Sequence, residues 1–166
     1  MASFRTEHVF RASSIAEVFA AYFDAEHQAE QDRLAELAER TVLERDDGGD
    51  ELRLVSRVVP RRQYPGFVRA LVSGPLSYTE TLRWHRRTDE IEQEIRPSVL
   101  TQRVAIATRY RLTATAPGEV HRVFEGDVTV DLAWIGGRVA RWVAAEIERS
   151  GPPSAACTQA WLDRQT

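Results

Sequence analysis

Glu80, standing between Tyr78 and Leu82, is the residue whose type and setting come closest to chemistry in this sequence. If the stretch Ser77 to Arg86 alternates as a strand, Glu80 shares a face with Tyr78, Leu82 and Trp84. A carboxylate on such a face loses hydration, so it needs a proton or a cation. Arg122 has the same parity as Val120 and Phe124, and an inward Glu80 to Arg122 ion pair is therefore the sharpest polar expectation. Paired carboxylates serve structure as well as catalysis, and one Glu defines no mechanism, so no catalytic residue is assigned.

The other chemistry-bearing types are thin. His8 is the only histidine that a strand pattern points inward, and it reads as a hydrogen-bonded core histidine. His27, in a polar stretch, reads as exposed, and His27, His85 and His121 share no ligand spacing. HExxH and CxxC motifs are absent, so no metal and no cofactor is expected. GxSxG is absent too, which leaves serine hydrolysis without a motif. The sequence contains no Lys, which excludes a Schiff base and a phosphate-loop lysine. Cys157, the single cysteine, reads as a small core hydrophobe.

Length and charge bound the rest. With 166 residues, 43% hydrophobic and 28% charged, the chain matches one soluble globular domain spanning residues 1–166. Folding at this size removes roughly 70% of the unfolded surface from water. A net charge of −3 gives no general pull toward nucleic acid. Arg61, Arg62, Arg83, Arg86 and Arg87 then read as a solvated basic face. Residues 1–10 mix charges among apolar side chains, and no stretch is long and apolar enough to span a bilayer. The expected address is cytoplasmic; an oligomeric state is not encoded in any motif.

The elements that must position these groups follow from periodicity. Ser3 to Arg11 alternates as a strand, and Ser14 with Glu17 forms a capping-box start for a helix carrying Ile15, Val18, Phe19, Tyr22 and Phe23. Ala25 to Leu37 reads as a second, solvated helix. Thr41 to Arg45 and Glu51 to Val59 make a hairpin around Asp47-Gly48-Gly49-Asp50. A helical turn or two over Phe67 to Val72 precedes four more strands: Ser77 to Arg86, Glu90 to Arg96, Thr101 to Ala116 and Glu119 to Leu132. After Gly136-Gly137, Val139, Trp142, Val143 and Ile147 recur at helical spacing, with Ser150-Gly151-Pro152-Pro153 expected to break or kink the final helix.

A sheet cannot leave its inner face wet, and the last helix is the only element long and apolar enough to cover it. The predicted fold is α+β: a curved antiparallel sheet of about seven strands wrapped around a long C-terminal helix, with two short helices after strand 1. Alternation then places Phe10, Leu54, Tyr78, Glu80, Leu82, Trp84, Ile106, Tyr110, Arg122, Phe124 and Val128 on the inner face, joined by Trp142 from the helix. An apolar lining with few polar points is the composition of a hydrophobic-ligand site.

The stretches EHVFRASSIAEVFAAYFD (residues 7–24), LSYTETLRW (76–84) and GDVTVDLAWIGGRVARWVAAEIE (126–148), in this element order, resemble the START-like helix-grip superfamily, in an uncharacterised bacterial branch. The resemblance implies a single START-like domain that binds a hydrophobic small molecule or lipid without a cofactor. Because the superfamily includes polyketide aromatase/cyclases, it also implies an enzymatic alternative in which Glu80, Tyr78, Tyr110, His8 or Arg122 positions protons. A third reading is a solid-cored interaction module such as a chaperone cofactor.

Overall fold

The computed structural model describes residues 1–61, 64–72 and 74–165; of the expected basic face, Arg62 lies outside the described residues. Seven antiparallel strands form one sheet in the order β1-β7-β6-β5-β4-β3-β2. They are β1 (Ala2–Arg11), β2 (Leu37–Gly48), β3 (Glu51–Pro60), β4 (Tyr78–His85), β5 (Glu90–Pro97), β6 (Val104–Ala116) and β7 (Glu119–Val130). Helices α1 (Ile15–Tyr22) and α2 (Ala25–Leu34) follow β1, α3 (Gly66–Arg69) sits between β3 and β4, and α4 (Gly136–Gln165) closes the chain. This is the element order expected from the periodicity, and it agrees with the helix-grip arrangement that the resemblance implies.

Local chemistry explains the boundaries. The Ser14 hydroxyl accepts from the Glu17 N–H at 3.1 Å and starts α1, while the Glu17 carboxylate accepts from the backbone N–H and hydroxyl of Ser13. Asp24 caps α2 by accepting from the N–H groups of Glu26 and His27. The expected extension of α2 to Leu37 is corrected. Glu36 takes a left-handed φ of 55°, which ends the helical path, and Leu37 begins β2.

α4 lacks the expected break. The helix runs unbroken through Gly151-Pro152-Pro153. Proline removes a donor from the helix, but Pro152, Pro153, Glu148 and Arg149 all face solvent, where water can serve the freed carbonyls. Packing holds the far half in line: Ala155, Trp161 and Leu162 are buried in the cluster that contains Phe10, Phe19 and Leu112. Polar ties add to this, since Gln159 accepts from the N–H of Arg11 and donates to its carbonyl along the free edge of β1.

Glycine is needed at two close approaches. A side chain on Gly126 would collide with the carbonyl of Ala107 in the neighbouring strand, and one on Gly136 with the carbonyl of Val130. The positive φ of the strand-to-helix turn falls on the fully exposed Trp134, at 69°, and not on Gly136 or Gly137.

Two apolar clusters form the interior. One gathers α1, the far half of α4 and the inward residues Phe10, Leu52, Leu54, Leu82 and Ile91. The other gathers the near half of α4 with Phe4, Val128 and Val130. Among the described residues, α4 packs closely on β1, β7, α1 and α2, and strands β3 to β6 are not among its main partners.

Candidate functional site

Register places the expected lining on one face. Glu80 lies opposite Ser56 and Ile95, Leu82 opposite Leu54 and Gln93, and Trp84 opposite Leu52 and Ile91. Ile106 pairs with Val128, and Tyr110 pairs with Phe124. Tyr110 and Phe124 stack with ring centroids 4.2 Å apart, and Phe4 tilts against Phe124 at 5.1 Å. Trp84 is held between Phe19 and Phe23, at 5.6 and 5.8 Å. Phe10, Leu54 and Leu82 are buried in the first cluster, whereas Ile106 and Phe124 border the second. Tyr78 is half-buried opposite Val58, at the end of the face where Trp142 packs on Tyr64 and Phe67.

The expected Glu80 to Arg122 pair is not formed. Glu80 accepts instead from Arg40 Nη1 at 2.8 Å and from Gln93 Nε2 at 2.9 Å, so both carboxylate oxygens are engaged. Arg40 also donates to Asp32 through Nε and Nη2, at 2.8 and 3.0 Å. Thr108 donates to Gln93 Oε1 at 3.0 Å. A polar belt, Asp32–Arg40–Glu80–Gln93–Thr108, thus runs from α2 across β2, β4, β5 and β6. Side-chain parity put Glu80 and Arg122 on the same face, but it could not tell which cation would reach the carboxylate. Arg40, from the edge strand, does so.

The belt's charges reinforce one another. Burial pulls the Arg40 pKa down, but the charges of Glu80 and Asp32 more than offset this and raise it, so the guanidinium stays charged. Burial, with the Glu80 charge beside it, pushes the Tyr78 hydroxyl well above its ordinary range. Tyr110 is pushed up likewise, first by burial and then by Tyr22. Neither phenol is poised to act as a base near neutrality.

Arg122 is 3% exposed and donates from Nη1 to the Tyr22 hydroxyl at 2.6 Å. His8 lies opposite Arg122 in register and is half-buried, its pKa lowered by burial and then by the Arg122 charge. The expectation of an exposed His27 is corrected: the ring is 1% exposed. Its Nε2 lies 2.9 Å from the Thr158 hydroxyl, and Tyr22 and Trp161 stand edge-on to it. Cys157 is only partly buried and donates to Glu30. No group of three or more potential metal ligands converges among the described residues.

The sequence reading missed Arg40, Asp32, Gln93, Thr108 and Tyr22. Gln93 and Thr108 carried a usable signal, because each interrupts an inward run: Ile91, Gln93, Ile95 and Ile106, Thr108, Tyr110. A cleft of about 740 Å³ opens largely on outward residues, among them Arg5, Arg83, Glu92, Arg109 and Glu125. It is polar and is not the apolar space expected. No described helix is long and apolar enough to cross a membrane.

Comparison with known proteins places this geometry. Residues 6–162 match the family described as Protein of unknown function (DUF2505). No curated protein matches the sequence. Among solved structures, a protein from Thermus thermophilus is similar at 12% identity and TM-score 0.68, with 99% of each chain covered. The Zhui aromatase/cyclase from a Streptomyces species is similar at 12% identity and TM-score 0.67, covering 99% of this chain and 96% of that one. A START superfamily protein from Mycobacterium smegmatis has 14% identity and TM-score 0.61, with 99% of each chain covered. The fold is START-like.

Proposed function

The chain belongs to the DUF2505 family, and we propose that it binds a hydrophobic small molecule or lipid between the inward face of its sheet and α4. The observation that carries this reading is incomplete cover over the middle of that face. α4 is seated on β1 and β7 at one margin. Ile95, Ile106, Tyr110 and Phe124 point inward from strands flanked on both sides, yet each keeps some access to water. Four buried polar atoms on the same face, Thr6 Oγ1, Ser56 Oγ, Trp84 Nε1 and Arg122 Nε, make no hydrogen bond among the described residues. Native interiors seldom leave such atoms unmet, and a guest or trapped water can meet them.

The lining proposed for the guest is the set read from the alternation, centred on Tyr110, Phe124, Ile106 and Trp84. The likeness to an aromatase/cyclase raises an enzymatic reading. Against it, each oxygen of Glu80 is already held by a neighbour, Arg40 or Gln93, which fixes the carboxylate in the polar belt, so the geometry favours binding without turnover. Neutral Nile red gives the direct test. The protein should retain the dye with a blue-shifted emission, and Ile106→Trp should abolish retention without lowering the folded fraction seen by circular dichroism. An unshifted dye, together with native mass spectra free of apolar adducts, would reject the proposal.

A further inference from the structure

Arg122 is a permanently charged side chain placed where charges are seldom left alone. It is 3% exposed, and no carboxylate forms an ion pair with it among the described residues. Its polar contact is the Tyr22 hydroxyl. Its Cζ lies 5.0 Å from the Phe10 ring centroid and 5.9 Å from that of Tyr110, so aromatic faces supply part of its solvation. Nε is buried and makes no hydrogen bond among the described residues. A buried guanidinium ordinarily engages a carboxylate through its planar fork, because an unpaired charge away from water is costly.

Glu80 cannot supply the missing charge, since Arg40 and Gln93 hold both its oxygens. His8, directly opposite Arg122, is kept toward the neutral form by burial and by Arg122 itself. His8, opposite Arg122 in register, and Tyr22, its hydrogen-bond partner, are only partly buried. We infer that the bound molecule is an organic acid, an apolar body bearing one carboxylate, whose anionic end docks on Arg122 while the body lies along Tyr110 and Phe124. One guanidinium matches a monoanion, and its aromatic surroundings match an apolar body. The inference rests on the ligand-binding reading above. A straight-chain fatty acid and an aromatic acid share this chemistry.

Calorimetric titration with two matched pairs, dodecanoate with dodecanol and naphthoate with naphthol, tests it. At neutral pH the acid of the better-fitting pair should bind about 10- to 100-fold more tightly than its alcohol. Whichever pair shows the larger effect identifies the aliphatic or the aromatic source. Arg122→Met should erase that preference while preserving the affinity for the alcohol, and its thermal midpoint should not fall below that of the unaltered protein. Equal affinity for acid and alcohol, or a preference that survives Arg122→Met, would overturn the inference and leave the chamber standing. Failure of all four compounds and of Nile red would overturn both. Should Arg122→Met not fold, the acid-to-alcohol ratio in the unaltered protein decides alone.

Discussion

Arg40 and Glu80, forty residues apart in the chain, meet through an Nη1 to Oε1 hydrogen bond of 2.8 Å, with about one-tenth of each side chain exposed. The contact ties the edge strand β2 to β4, two strands away in the sheet, with β3 lying between them.

Removing one partner of a buried pair leaves the other charge stranded. Arg40→Leu should therefore cost about 3–5 kcal/mol, because it strands both Glu80 and Asp32. Glu80→Gln should cost less, since Arg40 keeps Asp32. Urea unfolding of both single variants and the double variant checks this; additive losses would show that the two residues do not interact.

His27 makes stability depend on pH. Burial lowers its pKa from 6.5 to about 4, against the opposing pull of Asp24 and Glu30, while Arg122 adds a small push downward. As pH falls, the unfolded chain takes up this proton near 6.5 and the folded chain only near 4. The stabilisation from a neutral His27 is thus present above 6.5 and lost progressively between 6.5 and 4, by up to about 3 kcal/mol. His27→Gln should flatten that part of the urea midpoint against pH profile, and an unchanged slope would contradict the assignment.

Pro152 sits in a continuous helix with its ring in solvent. Pro152→Ala restores a donor where the helical path is already followed, and should stabilise the protein by about 1–3 kcal/mol. Differential scanning calorimetry should record a higher midpoint. A fall would mean that the proline serves the folded state.

Gly126 tolerates no side chain without movement of β6. Gly126→Ala should destabilise by about 1–3 kcal/mol through overpacking, seen as a lower urea midpoint with an unchanged denaturant slope.

Much of the fold was legible because the central strands are buried on one face only, which gives a two-residue period in the sequence. Edge strand β2 was only partly legible. From Thr41 to Gly48 it is exposed on both faces, so no burial constraint imprinted a pattern. His27 misled for the opposite reason: α2 is polar in composition, and what buries its histidine is Thr158 and Trp161, more than a hundred residues later. The proline pair in α4 misled because intrinsic propensity was set against tertiary packing, and packing won. Parity identified the inward face of the candidate site, including Glu80 and Arg122. It could not identify Arg40 or Asp32, whose reach into the interior depends on side-chain length and on the placement of α2.

The pairing of β1 with β7 joins Ala2 to Val128 and Arg11 to Glu119. The opening strand must therefore wait for the seventh to gain its sheet neighbour, whereas β7 can pair with β6 as soon as it is made, and α4, which packs on both β1 and β7, follows later still. During synthesis the β2–β5 meander can assemble by local zippering while β1 remains without its mate. The inward face of the sheet is covered at its β1–β7 margin only once α4 has been made, so the interior is completed by the last of the described elements.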